Sequence, residues 1–184
     1  MQSSLRLFIA LELPEHVLEK IINWRTEHVA DEPDLRLLKV DSLHCTLCFL
    51  GNRPESEIGL LTEVLHNNAA ALRLSLGEAI WLPPKHPRVL AVKLVEKEAV
   101  LGSLQANLSS ELAKRIDYVP EKRPFRPHVT VARVRRGASW RRQSLPALPA
   151  MEFEGKALTL YQSQLQRSGP IYTALASIKL ETQK

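Results

Sequence analysis

The chain has 184 residues, of which 45% are hydrophobic and 24% are charged, so it contains enough apolar material for one domain or two closely joined lobes. Its apolar runs are shorter than the roughly 18 residues of a membrane-spanning helix, which argues against a helical membrane protein. The formal net charge of +5 favours an anionic partner, either a nucleic acid or a phosphorylated small molecule.

The amino-terminal segment is predicted to be a strand and not a signal peptide. Hydrophobic residues alternate along residues 5–13 with the period of a strand. The acidic Glu12 interrupts the apolar stretch, and no small-residue cleavage site follows it. Cys45 and Cys48 lie three residues apart in one later apolar segment, so we expect free thiols and a reducing, cytoplasmic location.

Strands and amphipathic helices alternate along the rest of the chain. Pro14 suits the first position of a helix, and apolar residues at helical spacing follow it. After this helix, the pattern predicts a strand at 43–50, a helix at 54–70, strands at 72–80 and 88–95, a helix at 98–116, and strands at 128–134, 155–165 and 171–180. Residues 137–152 are interpreted as a loop, and the last two strands as a hairpin around residues 167–170.

The order of these elements contains an internal repeat. His44 follows Leu5 by 39 residues, and His128 follows Val89 by the same 39 residues. One amphipathic helix lies between the members of each pair, so a strand, a helix and a histidine-bearing strand occur twice. We interpret this as duplication or pseudo-symmetry, which would place the two histidines across a shared cleft.

Both histidines belong to a His-x-Thr motif within an apolar strand. Side chains two residues apart share one face of a strand, so His44 lies beside Thr46, and His128 lies beside Thr130. An imidazole transfers protons near neutral pH, and a hydroxyl donates a hydrogen bond to an anionic oxygen. Two such pairs provide an acid, a base and two oxygen-binding groups, which suits a phosphodiester.

Two other interpretations of these motifs compete with catalysis. A single His-x-Thr in a strand is more often structural, and it is the repetition that favours catalysis. A metal site is not expected, because strict alternation puts His44 and Cys48 on one face but about 13 Å apart, whereas the ligand bonds of zinc are about 2.0–2.3 Å long.

The paired motifs resemble those of the 2H phosphoesterase superfamily and, within it, the RNA 2′,3′-cyclic phosphodiesterases, also called 2′-5′ RNA ligases. The resemblance covers nearly the whole chain. It includes "RLFIAL" at residues 6–11, "HCTLCFLG" at 44–51, "RPFRPHVTVAR" at 123–133 and "LYQSQLQRSGPIY" at 160–172.

The resemblance implies a single bilobal α+β domain over residues 1–184, with two antiparallel sheets lining a central cleft and helices outside. It implies a monomer that hydrolyses 2′,3′-cyclic phosphates of RNA ends or nucleotides to 2′-phosphates, without metal or cofactor, and that can join RNA ends by the reverse reaction. By the same analogy, His44 is the general acid, His128 is the general base, and Thr46 and Thr130 hold the phosphate oxygens.

The resemblance also assigns a phosphate-binding arginine to Arg133, three residues after the second threonine. Strict alternation puts Arg133 on the face opposite His128, so a bulge or the end of the strand must turn it around. Arg126 has the same parity as His128 and is the alternative candidate, unless it is simply exposed to solvent.

Aromatic residues near the first motif are candidates for binding a base. Phe8 lies opposite the apolar stripe of its strand, so it is interpreted either as a stacking platform or as part of the core. Phe49 shares the parity of Cys45, which predicts a core position. Tyr161 is interpreted, with Ser163, as a residue behind the site.

Three functions remain open from the sequence. The first is a metal-independent cyclic phosphodiesterase acting on RNA ends. The second is an enzyme of the same superfamily that acts on a small cyclic or 2′-5′ linked nucleotide. The third is an RNA-binding module without catalysis, which would bind equally well after the change His44→Ala.

Overall fold

A computed structural model describes residues 4–138, 144–166 and 169–180. Its elements are β1 (Ser4–Glu12), α1 (Glu15–Val29), β2 (Leu35–Leu37), β3 (Cys45–Pro54), α2 (Ile58–Asn67), β4 (Arg73–Leu82), β5 (Val89–Val95), α3 (Val100–Arg115), β6 (His128–Val134), β7 (Glu152–Glu154), β8 (Ala157–Gln164) and β9 (Ile171–Lys179). The predicted helices and strands are confirmed, whereas the three-residue strands β2 and β7 are additional. Part of the predicted loop, residues 139–143, and part of the predicted hairpin turn, residues 167 and 168, lie outside the described residues.

The strands form two antiparallel sheets. One has the order β3-β1-β8-β9, and the other has the order β2-β6-β5-β4-β7. Within the first sheet β1 pairs with β3, and within the second β5 pairs with β6. Each of these pairs joins the two strands of one predicted repeat, so the topology agrees with the internal repeat. The fold is α+β and bilobal, with the sheets lining a cleft, as predicted.

The helices cover the outer faces of the sheets with apolar stripes. In α3 the buried stripe is Leu101, Leu104, Leu108 and Leu112, the spacing of one helix face. Each fully buried leucine contributes about 1.5–3 kcal/mol of burial free energy. Helix α2 contacts α3, β8 and β9. No helix in the described ranges has the length and apolarity of a membrane span.

A bulge in β3 changes which of its residues face the core. Successive residues of β1 pair with Thr46 and with Cys48, so Leu47 is an extra residue in the register. Leu47 and Cys48 are both buried, and 58% of Phe49 is exposed. The predicted core position of Phe49 is therefore wrong, and so is the prediction that Cys48 shares the face of His44, because a bulge shifts the alternation by one residue.

Candidate active site

The second motif opens strand β6. His128 and Thr130 are half-buried, and Val129 between them is fully buried. The Nδ1 atom of His128 lies 2.6 Å from the carbonyl oxygen of Arg126. Because a carbonyl oxygen accepts and never donates, Nδ1 carries the proton of the neutral ring, and Nε2 keeps the lone pair. This is the tautomer in which Nε2 can accept a proton.

The first motif lies at the start of β3, with His44 directly before the strand. The imidazole of His44 packs against three aromatic rings. It stacks on Phe8, with ring centroids 5.0 Å apart and 30° between the planes, and on Tyr161 at 5.8 Å. Tyr172 meets it edge-on at 5.3 Å. These contacts fix the orientation of the ring.

Phe8 supports His44 and offers no surface to a ligand. It is 2% exposed, since His44 and Tyr161 stack against it and Tyr172 contacts its ring at 5.0 Å. A stacking platform must be accessible to a base. The substrate-binding role predicted for Phe8 is therefore wrong, and the alternative of a packing role is the correct one.

The two motifs meet where β3 of one sheet contacts β6 of the other. The backbone N–H of His128 donates to the sulfur of Cys45, and burial raises the pKa of this thiol to about 12. Cys45 is the residue between His44 and Thr46, so this contact joins the first motif directly to the second. The arrangement places both His-Thr pairs on one cleft.

A bulge also follows the second motif. Successive residues of β5 pair with Thr130 and with Ala132, so Val131 is the extra residue. Val131 and Ala132 are both fully buried, and the alternation of faces shifts by one residue. Arg133 therefore lies on the same face of β6 as His128. This is the bulge that the phosphate-binding assignment of Arg133 requires.

The sequence profile of the 2′-5′ RNA ligase superfamily matches residues 13–167, and this range contains both motifs. The chain belongs to the 2′-5′ RNA ligase superfamily. A relative from Thermus thermophilus, named RNA 2′,3′-cyclic phosphodiesterase, is 32% identical over 96% of this chain and 90% of its own length. A relative of the same name from Escherichia coli is 32% identical over 92% of this chain and 93% of its own length.

Solved structures agree with this membership in the superfamily. A crystal structure of a Thermus thermophilus protein superposes with a TM-score of 0.83 and 30% identity, and the match covers 97% of this chain and 100% of that one. The crystal structure of Escherichia coli LigT complexed with 3′-AMP gives a TM-score of 0.80 at 28% identity, covering 97% of this chain and 99% of LigT.

Glu12 lies behind the aromatic cluster and was not among the predicted site residues. Its carboxylate accepts hydrogen bonds from the Tyr161 hydroxyl at 2.9 Å and from the Thr159 hydroxyl at 2.5 Å. Burial raises the pKa of Tyr161, so its phenol stays protonated and donates. Tyr161 thus connects Glu12 to the ring of His44. The alternation of side chains along β1 could have identified Glu12, because it lies four residues after Phe8 and therefore shares its strand face.

The environment of His44 favours the neutral ring. Burial lowers its pKa from 6.5 to about 4; the negative charge of Glu12 opposes this shift, and the positive charge of His128 adds to it. An anion bound between the histidines would favour the protonated ring. The arrangement therefore couples the protonation of His44 to the binding of an anionic ligand.

The alternative arginine contributes its backbone to the site. The side chain of Arg126 is exposed, whereas its carbonyl oxygen holds Nδ1 of His128. Ser163, which was interpreted as lying behind the site, is half-buried in β8 and pairs in register with Tyr172 of β9. Of the two candidates for a phosphate-binding arginine, Arg133 has the orientation that the role requires.

Proposed function

We propose that this protein is a metal-independent RNA 2′,3′-cyclic phosphodiesterase, which hydrolyses the cyclic phosphate at RNA ends to a 2′-phosphate. The observation that carries the proposal is the meeting of two His-x-Thr motifs, one from each sheet, on a single cleft. The names of the two relatives support the choice of substrate.

The reaction needs one group that accepts a proton and one that donates a proton. Water attacks the phosphorus while Nε2 of His128 takes its proton, and the bond from phosphorus to the 3′ oxygen breaks. His44 donates its proton to the departing 3′ oxygen, which leaves a 3′-hydroxyl and a 2′-phosphate. The hydrogen bond from Nδ1 of His128 to the Arg126 carbonyl supports the role of His128 as the base.

His44 acts as the acid after the substrate has bound. The cyclic phosphodiester carries one negative charge, and its position between the motifs raises the pKa of His44 from the low value that burial gives it. The active complex therefore takes up a proton on binding. The protonated ring then hydrogen-bonds the phosphate before it transfers its proton.

Four further residues hold the substrate in this proposal. The hydroxyls of Thr46 and Thr130 donate to the two non-bridging oxygens, and Arg133 binds the charge that develops on them. Phe49 replaces Phe8 as the stacking platform, since its ring is 58% exposed and lies 6.1 Å from that of Phe8. A base on Phe49 would lie beside the cleft that contains His44.

The test uses a short RNA that ends in a 2′,3′-cyclic phosphate, with EDTA present. Wild type is compared with His44→Ala, His128→Ala and the matched control His66→Ala, whose histidine is exposed on α2. We expect a 2′-phosphate product in the wild type and the control, and rates at least about a hundredfold lower in the other two. Turnover that survives both cleft substitutions would refute the proposal.

The same assay separates the remaining candidates. A 2′-5′ linked product, formed when the 5′-hydroxyl of an RNA attacks the phosphorus in place of water and the 3′ oxygen departs, would establish that this site also ligates RNA ends. Turnover of cyclic mononucleotides but not of cyclic-ended oligomers would favour a small-nucleotide enzyme. Binding of RNA without turnover, unchanged in His44→Ala, would indicate a binding module.

A further inference from the structure

A cavity of about 150 Å³ adjoins the cleft on the side of β9. At about 30 Å³ for each water molecule, this volume holds roughly five waters and so has room for a phosphate group. Its lining includes the cations Arg36, Lys39 and Arg133, the hydroxyl-bearing Ser42, and Tyr172, and no lining residue in the described part of the chain is acidic. Arg133 and Tyr172 also belong to the site described above, so the cavity is continuous with it.

Two of these cations are direct neighbours across the sheet. Arg36 of β2 pairs in register with Arg133 of β6. Both side chains line the cavity, so this register brings two positive charges to one wall, where a bound anion can interact with both. A Cβ atom at Gly169 would lie 2.7 Å from Nη1 of Arg36, so glycine permits the segment before β9 to pack against this guanidinium.

The cavity and Phe49 lie at opposite edges of the four-stranded sheet. Phe49 is on β3 and Tyr172 is on β9, and these are its two outer strands. When the 2′,3′-cyclic phosphate of a nucleotide is held between the motifs, the base leaves the ribose from C1′ and the C5′ group, which carries the 5′ oxygen, leaves it from C4′. These two carbons flank the ring oxygen, so the base and the 5′ oxygen point away from opposite ends of the ring. A base on Phe49 therefore directs the 5′ oxygen toward the cavity.

We infer that this cavity is a second anion subsite, which binds the phosphate on the 5′ side of the terminal nucleotide. The inference rests on the proposed function. It names the substrate class as nucleotides whose 5′ oxygen carries a phosphate, which includes every RNA of two or more residues. A nucleoside 2′,3′-cyclic phosphate with a free 5′-hydroxyl is then a poor substrate.

The test compares substrates that differ by a single phosphate. These are adenosine 2′,3′-cyclic phosphate, its 5′-phosphorylated form, and the adenosine dinucleotide with a cyclic end. The proteins are wild type, Arg36→Gln, Lys39→Gln and the control Lys114→Gln, which removes an exposed charge from α3. Because Lys39 is exposed, its substitution preserves the fold even if Arg36→Gln does not.

In wild type and in the control, we expect kcat/KM to be about tenfold higher for both phosphate-bearing substrates than for the unphosphorylated nucleotide. This is the effect of one charge-assisted contact. Each cavity substitution should remove most of this preference while hydrolysis of the unphosphorylated nucleotide stays within about twofold. The dependence of log KM on log salt for the dinucleotide should weaken by about 0.7 per lost contact. A preference for the 5′-phosphorylated form without one for the dinucleotide would restrict the subsite to terminal phosphates and overturn its assignment to RNA.

Equal kcat/KM for all three substrates in wild type, or equal losses on all three in the variants, would overturn the inference. If wild type hydrolyses none of them, the proposed function fails separately. The subsite is then tested by titrating 5′-AMP and adenosine into wild type and Lys39→Gln. Tighter binding of 5′-AMP by wild type alone would support the subsite, and equal affinities would refute it.

Discussion

Phe49 and Arg133 occupy equivalent positions in the two halves of the protein. Each lies five residues after the histidine of its motif, and a one-residue bulge turns each toward the cleft. The bulges come at the same point, directly after the threonine. The repeat therefore preserves the backbone while it places an aromatic ring on one side of the cleft and a cation on the other.

Removal of the Phe49 ring should weaken RNA binding without weakening the fold. Stacking of a base on an aromatic side chain contributes about 1–3 kcal/mol, so Phe49→Ala should raise KM by roughly 5- to 150-fold. The ring is 58% exposed, so the melting temperature should stay within a few degrees of wild type. Steady-state kinetics and thermal melting measure both effects, and Phe49→Tyr serves as the control that retains stacking. A large loss of stability with an unchanged KM would show that Phe49 is a packing residue.

The two arginine candidates should respond differently to substitution. Arg133→Gln removes a group that faces the phosphate and should lower kcat/KM about 100- to 1,000-fold, the usual effect of losing one donor to a developing oxyanion. Arg126→Gln keeps the backbone carbonyl that holds His128 and should change kcat/KM by less than about threefold. The kcat/KM values of the two variants with a cyclic-ended RNA decide between the candidates. A larger loss in Arg126→Gln than in Arg133→Gln would show that Arg126 is the arginine that binds the phosphate.

His44 should make the protein less stable in acid. Its pKa is about 4 in the folded state and 6.5 in the unfolded reference state, so between these values the unfolded chain binds more protons. The free energy of unfolding therefore rises with pH across this window, by up to about 3 kcal/mol from this group. Urea denaturation at both ends of the window should show a smaller change for His44→Ala than for wild type. Equal changes in the two proteins would mean that His44 titrates normally.

The negative charge of Glu12 should keep the pKa of His44 higher than burial alone would leave it. Since Glu12 raises the pKa of His44, Glu12→Gln should lower it further, while the amide oxygen still accepts the hydrogen bond from Tyr161. Titration of the His44 ring resonances by NMR measures the shift. Tyr161→Phe is the matched control, since it removes the hydrogen bond and keeps both the charge and the ring. A shift of the same size in Tyr161→Phe, with none in Glu12→Gln, would assign the effect to packing.

The sequence predicted the order of the long elements and the pairing of the two motifs because both depend on periodicity. Strict alternation failed at Leu47 and at Val131, where two consecutive apolar residues are both buried. A bulge is set by the pairing of two strands, which one strand's pattern does not contain. This is why Phe49 was assigned to the core and why the orientation of Arg133 remained open.

The other omissions have local causes. Strands β2 and β7 have three residues each, which is too short for a period of two to be recognised. Phe8 was placed on the correct face, but its burial depends on Tyr172, which lies far away in the sequence. The Glu12 carboxylate was overlooked because its partners, Thr159 and Tyr161, come from a distant strand.

The contact between Cys45 and His128 gives the protein a natural chemical reporter. Cys45 is fully buried where the two sheets meet, and its pKa of about 12 keeps the thiol protonated at neutral pH. A thiol in this state resists alkylation until the sheets separate. In a Cys48→Ser background, the rate at which Cys45 is labelled therefore measures how often the halves of the cleft open, and a tightly bound nucleotide should slow that rate.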